Sequence, residues 1–149
     1  MGKIRVGLIG IGNCASSLVQ GATFYGDSSK EIPGLITQKF AGYTPGDIQF
    51  VAAFDVDRRK VGKDLSKAIF EKPNCTYVFQ KEIPNLNCEV KMGYILDSIA
   101  PHTPNYPIDR RFDALDDVYA SRDEAKAAVV KTLRDTGVEV LVNYLPVGS

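Results

Sequence analysis

Histidine and cysteine are scarce in this chain of 149 residues, which has one histidine and three cysteines. The cysteines Cys14, Cys75 and Cys88 are odd in number and widely spaced, and no pair of them forms a C-x-x-C motif. This pattern disfavours a disulfide framework and a zinc site, and it predicts reduced thiols in the cytoplasm. The lone histidine, His102, has no visible metal-binding partners, so we expect no metal site.

The chain also has no net charge and no long hydrophobic run, and we expect no secretion signal. Its 18 Lys and Arg residues balance 18 Asp and Glu residues, which argues against nucleic acid or an anionic membrane as the main partner. No apolar run approaches the roughly 20 residues that span a bilayer, and the N-terminus begins a strand pattern instead of a signal peptide. The length predicts one domain over residues 1–149, and a hydrophobic content of 44% allows a globular core.

An apolar run that leads into a glycine turn is the most informative part of the sequence. Residues 4–15 are IRVGLIGIGNCA, in which Gly10, Gly12 and Ala15 form a G-x-G-x-x-A pattern. Gly10 would allow a tight turn after a strand, Gly12 would let bare backbone approach a pyrophosphate, and Ala15 would let the next helix pack closely. A helix that starts near Asn13 would direct N–H groups and its positive dipole end at a phosphate. The pattern therefore predicts a dinucleotide cofactor.

Hydrophobic periodicity predicts that strands and helices alternate. We expect strands at 4–9, 48–54, 76–79 and 138–145, helices at 13–24, 61–70 and 121–136, a loop at 26–47, and an irregular segment at 80–108 in which residues 92–95 could pair as a strand. Ser121 and Glu124 match a capping box, and Gly137 supplies a helix stop. The alternation predicts an α/β fold with a Rossmann-like parallel sheet. Because only about four strands fit where six are usual, we expect an incomplete doubly wound fold, part of a longer one.

Asp55 follows the second predicted strand and is the candidate ligand of an adenosine ribose. A carboxylate at this position can accept hydrogen bonds from the ribose hydroxyls, and it repels a 2′-phosphate, which favours NAD over NADP. Its separation from Gly12 exceeds the usual spacing of about 20 residues, and the predicted loop at 26–47 accounts for the excess.

The charged residues after Asp55 have two interpretations. Asp57 is a rival ribose ligand, two residues on and on the same side of an extended chain. Arg58 and Arg59 leave room for NADP, because arginine can hold a 2′-phosphate. The alternative, which we favour for Asp57, Arg58, Arg59 and Lys60, is a solvated turn.

The segment after the last predicted strand is a second candidate contact with the cofactor. Ligands of open parallel sheets bind beyond the carboxyl ends of the strands, so residues 145–149 should lie at the same sheet edge as the glycine turn. Gly148 is flexible and Ser149 carries a hydroxyl, and both suit contact with a cofactor. The alternative is a plain connection from strand to helix. The sequence shows no proton-relay pair and no metal cluster, so no catalytic residue is assigned.

Longer motifs resemble one enzyme family. Segments 6–21 (VGLIGIGNCASSLVQG), 50–57 (FVAAFDVD), 61–70 (VGKDLSKAIF) and 140–149 (VLVNYLPVGS) are similar to myo-inositol-1-phosphate synthase, also called inositol-3-phosphate synthase, of the archaeal and actinobacterial type. Residues 94–103 (YILDSIAPHT) resemble the DGIAPH-type segment of that family, with Ser98 where glycine is common. The resemblance spans nearly the whole chain and corresponds to the N-terminal NAD-binding portion of the family.

The resemblance implies an NAD-dependent isomerase of inositol and phospholipid biosynthesis. Such an enzyme converts glucose 6-phosphate to inositol 3-phosphate by oxidation, enolisation, aldol cyclisation and re-reduction, and is expected to be a homotetramer. By position, the implied cofactor contacts are Gly10, Gly12, Asn13 and Cys14 at the pyrophosphate, Asp55 at the ribose, Asp64, and Leu145, Pro146, Gly148 and Ser149 towards the nicotinamide. The family's catalytic residues and tetramer-forming domain lie beyond this chain, so we expect the chain alone to be inactive.

Two other functions remain compatible with the glycine turn. The chain could be a non-catalytic NAD-binding module, or the cofactor domain of another NAD-dependent dehydrogenase. The glycine turn alone would permit the dehydrogenase. The longer motifs disfavour it, because they resemble the synthase family.

Overall fold

The computed structural model describes residues 2–26, 33–95, 102–115 and 118–145. These residues form a sheet of four parallel strands in the spatial order β3-β2-β1-β4. The strands are β1 (Ile4–Ile9), β2 (Ile48–Asp55), β3 (Val90–Met92) and β4 (Val140–Asn143), and the helices that connect them are α1 (Asn13–Phe24), α2 (Leu65–Ala68) and α3 (Arg122–Asp135). The predicted α/β fold with a parallel sheet is confirmed, and the strand order is that of the first four strands in the doubly wound dinucleotide-binding sheet.

The strand order reverses at β1. The chain passes from β1 to β2 and β3 on one side, and β4 is then placed on the other side of β1. In open α/β sheets, ligands bind beyond the carboxyl ends of the strands at such a reversal. The glycine turn follows β1 directly, so it lies at the point of the fold where a ligand is expected.

One hydrophobic core joins the sheet to α1 and α2. Its fully buried members include Leu8 of β1, Val19 of α1, Ala53 of β2, Leu65 of α2 and Val90 of β3. Burial of each larger aliphatic side chain contributes roughly 1.5–3 kcal/mol. This packing fixes β1 and α1 relative to each other, and it thereby fixes the turn between them.

Several elements match their predicted bounds. The first strand and the first helix agree residue for residue, and β2 extends one residue further than predicted, to Asp55. Ser121 caps α3, since its Oγ accepts a hydrogen bond from Glu124 N at 3.2 Å, although Glu124 Oε2 accepts from Ala120 N rather than from Ser121 N. Gly137 follows the helix with φ +58°, as its predicted role as a stop requires.

The predicted helix at 61–70 is wrong in extent, because only Leu65–Ala68 is α-helical. Gly62 has φ +83°, which a helix does not accommodate. Its N–H donates to Val90 O at 2.8 Å, and Val90 N donates to Lys63 O at 2.8 Å. Residues 62 and 63 therefore bond to the start of β3 instead of continuing a helix.

The later part of the chain differs from prediction in three places. The predicted strand at 76–79 is wrong, because Gln20 Oε1 accepts hydrogen bonds from Phe79 N (3.0 Å) and Gln80 N (3.2 Å) and holds this segment along α1 without a ladder. Strand β3 begins two residues before the predicted 92–95, and β4 is shorter than the predicted 138–145.

Of the predicted loop at 26–47, residues 27–32 lie outside the described part, and 33–47 hold one short 3₁₀ turn, Pro45–Asp47.

Candidate functional site

Gly10 carries the glycine turn away from β1. Its φ is +84°, a conformation that costs roughly 1–2 kcal/mol for a residue with a Cβ. Its N–H donates to Phe54 O at 2.9 Å, which ties the turn to the end of β2. A Cβ at Gly10 would lie 3.3 Å from Leu145 Cδ2. The turn and the residue that follows β4 therefore meet at one sheet edge, where the sequence placed them.

Gly12 is the N-cap of α1, and the space in front of it is open. Its backbone is extended, with φ −88° and ψ −159°, and a Cβ there would have no neighbour within 4 Å. The first bond of the helix runs from Ser16 N to Gly12 O at 2.9 Å, so the amides of Asn13, Cys14 and Ala15 precede the internal bonding of α1. The first turn has no side-chain cap and no acidic residue. Backbone N–H groups at the positive end of a helix dipole suit an anion.

Asp55 ends β2 with its carboxylate against the glycine turn. Oδ2 accepts a hydrogen bond from Ile11 N at 2.7 Å, and Oδ1 accepts from Val56 N (2.8 Å) and Asp57 N (2.9 Å). A carboxylate offers about four acceptor positions, so three backbone donors leave capacity for one more. Asp55 thus supports the turn, a role that the sequence did not suggest, and its contact with a ribose stays a prediction.

A fully buried lysine lies beneath the turn. Lys60 Nζ donates to Ile11 O at 2.8 Å and to Asn74 Oδ1 at 2.9 Å, and Asn74 Nδ2 also donates to Ile11 O at 3.0 Å. Asp55 Oδ2 is 3.9 Å from Nζ. Burial lowers the pKa of the Lys60 ammonium, and the charges of Asp55 and Asp57 oppose that shift. For Lys60 the predicted solvated turn is wrong.

Asp57 and Arg59 form an ion pair that fastens a distant segment to the end of β2. Asp57 is fully buried, and its carboxylate accepts from Arg59 Nε (2.7 Å), Arg59 Nη2 (2.5 Å) and Asp113 N (2.9 Å). Arg59 also donates to Ile108 O (2.8 Å) and Arg111 O (2.7 Å). Burial would raise the pKa of Asp57, but the hydrogen bonds from Arg59 and Asp113 outweigh it and lower the pKa.

These contacts test the prediction that the charged residues after Asp55 form a solvated turn. The solvated turn is wrong for Asp57, which is buried, and for Arg59, which is partly buried and committed to internal acceptors. Arg58 is exposed, as predicted, and its Nε lies 3.2 Å from Asp113 Oδ1. Arg59 is therefore occupied within the protein and poorly placed to hold a 2′-phosphate.

Asp64 is the N-cap of α2 and joins that helix to the segment before β3. Its Oδ1 accepts from Ser66 N (3.0 Å) and Leu86 N (3.2 Å), and its Oδ2 accepts from Cys88 N (3.0 Å). Burial would raise the pKa of Asp64, but these hydrogen bonds lower it overall. The carboxylate serves the folded backbone, and its implied contact with a cofactor stays a prediction.

The side chain of Asn13 joins the glycine turn to the segment at 74–76. Its Oδ1 accepts from Cys75 N at 2.8 Å and from Thr76 Oγ1 at 3.0 Å. Cys14 is an exposed free thiol, as is Cys75. Because the Asn13 side chain is engaged within the protein, its contact with a cofactor stays a prediction for the backbone N–H alone.

Of the predicted residues after β4, only Leu145 lies in the described part. Its N–H donates to Asn143 Oδ1 at 2.9 Å, and its side chain stands beside Gly10. Pro146, Gly148 and Ser149 lie outside the described residues. Across the described ranges, no cluster of three or more His, Cys, Asp or Glu side chains could hold a metal ion. Nor does any helix in those ranges have the length and apolarity to cross a membrane.

The sequence missed Lys60 and Asn74 as parts of the site. A lysine that follows Asp57, Arg58 and Arg59 resembles a solvated charge, and nothing in its neighbourhood marks it as buried. No spacing or motif in the sequence marks either residue as part of the site, since Asn74 reaches Lys60 only in the folded chain.

Curated sequences similar to this chain are about two and a half times its length. The chain is 43% identical to inositol-3-phosphate synthase of Mycolicibacterium smegmatis and 42% identical to inositol-3-phosphate synthase of Corynebacterium glutamicum. The alignments cover 99% and 98% of this chain, but 38% and 37% of the two relatives. The chain thus spans less than two fifths of their length. No family model matches it.

Two crystal structures share the fold over almost all of the chain. One is of Ari2, with a TM-score of 0.72 and 29% identity, covering 97% of this chain and 38% of the other. The second is of a myo-inositol-1-phosphate synthase-related protein from Thermotoga maritima, with a TM-score of 0.69 and 26% identity, covering 96% of this chain and 34% of the other. Both likenesses agree with the parallel α/β sheet described above.

Proposed function

We propose that this chain, a homologue of the N-terminal part of inositol-3-phosphate synthases, forms the NAD-binding portion of an enzyme of that kind. The observation that carries the proposal is the position of Gly12, which begins α1 at the strand-order reversal with open space in front of it. Dinucleotides bind at this position in doubly wound folds, with the pyrophosphate at the helix N-terminus.

The residues at the turn fit NAD in charge and in shape. The amides of Gly12, Asn13 and Cys14 would hold the pyrophosphate, and the first turn of α1 contains no carboxylate that would repel it. Gly12 leaves free the volume that a side chain would fill. When bound, NAD supplies a hydride acceptor that later returns the hydride, so the isomerisation has no net oxidation. The chain's own residues bind and orient the cofactor.

The surroundings of Asp55 favour NAD over NADP. Its carboxylate lies at the glycine turn and has capacity for one further donor, such as a ribose hydroxyl. A 2′-phosphate would meet this negative charge. Of the two arginines that left room for NADP, Arg59 is bound to Asp57 and Arg58 is paired with Asp113. The balance of charge thus opposes the phosphate of NADP.

The complete enzyme, we propose, converts glucose 6-phosphate to inositol 3-phosphate through oxidation, enolisation, aldol cyclisation and re-reduction. It would act in the cytoplasm as a homotetramer. The support is the identity of 42–43% with synthases that are named for this product. Because the chain aligns with only 37–38% of those relatives, catalytic residues are expected outside the aligned part. The isolated chain should form no inositol phosphate from glucose 6-phosphate and NAD, and detectable product would contradict this.

Calorimetric titration of the chain with NAD and NADP tests the proposal. NAD should bind more tightly, and Asp55→Asn should reduce the preference for NAD over NADP by roughly tenfold, because it removes the charge that a 2′-phosphate would meet. The affinity for NAD should fall as well, since an amide has one oxygen where the carboxylate accepts three backbone hydrogen bonds on two. Asp47→Asn is the matched control, since Asp47 precedes β2 at the opposite end of the strand. Absence of NAD binding to the wild-type chain would refute the proposal, and equal affinity for both cofactors would refute the role of Asp55.

A further inference from the structure

The peptide unit between Ile11 and Gly12 is held on its buried side. Ile11 O accepts hydrogen bonds from Lys60 Nζ at 2.8 Å and Asn74 Nδ2 at 3.0 Å, while Ile11 N donates to Asp55 Oδ2 at 2.7 Å. Both polar groups of Ile11 are thus engaged, and its side chain is fully buried.

The geometry of a trans peptide extends this restraint to Gly12. A peptide unit is planar, and its C=O and N–H groups point in opposite directions. Because the C=O of Ile11 points at the buried Lys60 ammonium, the N–H of Gly12 points away from it. Gly12 is also the residue in front of which the structure is open. The two buried donors on Ile11 O thereby set the direction of the Gly12 N–H.

The reversed orientation of this peptide would remove an acceptor from both buried donors. Glycine turns tolerate reversal of a peptide plane, since glycine adopts either sign of φ with little cost. A reversed Ile11–Gly12 unit would direct its N–H at the ammonium and leave a buried lysine without that acceptor. An unpaired buried charge is strongly unfavourable, and the Asn74 amide would lose the same acceptor, so the two donors together disfavour the reversed state.

We propose that Lys60, with Asn74 as a second donor, is a positioning residue that holds the Ile11–Gly12 peptide with its N–H directed at the pyrophosphate site. Lys60 itself does not touch the cofactor. The proposal rests on the proposed function for the identity of the ligand, but the orientation of the peptide can be measured without any ligand.

The test combines nuclear magnetic resonance with calorimetry on the 149-residue chain. Lys60→Met keeps most of the side-chain volume and removes the charge, and Lys67→Met is the matched control because Lys67 is exposed on α2. In the ligand-free chain, Lys60→Met should change the residual dipolar coupling of the Gly12 N–H. It should also weaken NAD binding roughly tenfold to a hundredfold. Lys67→Met should change neither.

The possible outcomes separate this inference from the proposed function. A merely structural lysine would lower the thermal midpoint while the Gly12 coupling and the NAD affinity stayed at wild-type values, and that result would overturn the inference. A wild-type chain that does not bind NAD refutes the proposed function. The residual dipolar coupling of Gly12, measured without ligand, then tests whether Lys60 holds the peptide orientation. Should Lys60→Met not fold, Asn74→Ala replaces it. That variant should change the coupling in the same direction by a smaller amount, and an unchanged coupling would count against the inference.

Discussion

Substitution by alanine should lower stability at Gly10 and the affinity for NAD at Gly12, two glycines in the same turn. Gly10 has φ +84°, and a Cβ there would lie 3.3 Å from Leu145 Cδ2. The backbone conformation costs roughly 1–2 kcal/mol for alanine, while the Leu145 contact adds little because that side chain can shift. For a chain of this size, Gly10→Ala should lower the thermal midpoint by about 3–8 °C.

Gly12→Ala should leave folding nearly intact and should act on the ligand. Gly12 has φ −88°, and a Cβ there meets nothing within 4 Å. Alanine is a poorer N-cap than glycine, by less than about 1 kcal/mol. A methyl group in front of the helix would occupy the volume that we assign to the pyrophosphate. The affinity for NAD should therefore fall by about tenfold or more, which corresponds to about 1.4 kcal/mol of lost binding free energy.

Gly21→Ala supplies the matched control within the same helix. Gly21 lies in α1, and a Cβ there also has no neighbour within 4 Å. Alanine inside a helix should raise stability by about 0.5–1 kcal/mol and leave the affinity for NAD unchanged. Urea unfolding and calorimetric titration of the three variants measure both quantities. If Gly12→Ala binds NAD as tightly as the wild-type chain, the ligand is not where we place it.

Three other changes test the supports around the site. Burial and the charge of Asp64 raise the pKa of the Cys88 thiol to about 12, from 9.0 in the unfolded chain. The thiol of the unfolded chain therefore loses its proton first, and the contribution of Cys88 to stability, present in full below pH 9, should fall by about 1.4 kcal/mol between pH 8 and pH 10. In urea unfolding, Cys88→Ala should remove that part of the pH dependence, and an unchanged pH dependence would contradict it. Asp64→Asn should lower the free energy of unfolding at pH 7 by about 1–2 kcal/mol. The difference from wild type should shrink as pH falls below 3.8 through the lowered folded pKa, and an unchanged difference would contradict the role of the charge. Arg59→Met leaves Asp57 buried without its partner and should lower the free energy of unfolding by roughly 3 kcal/mol. Amide hydrogen exchange at Asp113 should become faster. Exchange protection equal to wild type would show that the ion pair does not hold the segment around Asp113.

The sheet and its first helix were predictable because their signals are local. Hydrophobic periodicity identifies the strand Ile4–Ile9 and the helix Asn13–Phe24, and glycines mark where they end. Both agree with the structure. The helix at 61–70 failed for a non-local reason. Gly62 and Lys63 bond to Val90, a residue far along the chain, and no periodicity within the segment reveals that pairing.

The charged residues around the site were the least predictable part. Polarity in a sequence normally indicates exposure, yet Asp57 and Lys60 are fully buried. Each forms a hydrogen bond with a residue from another part of the chain. The side-chain oxygen of Asn74 accepts from Lys60, and the backbone N–H of Asp113 donates to Asp57. Such pairing leaves no trace in spacing or composition, so a sequence pattern locates the glycine turn without identifying what lies beneath it.

The glycine motif specifies a flexible turn, and the tertiary contacts beneath it specify the conformation of that turn. Asp55 and Lys60, at the end of β2 and in the turn after it, meet at Ile11 with Asn74 from a later segment, so these contacts exist only when the chain is folded. A cofactor that binds only this conformation stabilises the fold by mass action. Loss of a support beneath the turn should therefore reduce stability and cofactor affinity together. Addition of a methyl at Gly12 should reduce affinity with little loss of stability. The relation between the two quantities, measured across variants, distinguishes residues that hold the turn from residues that face the ligand.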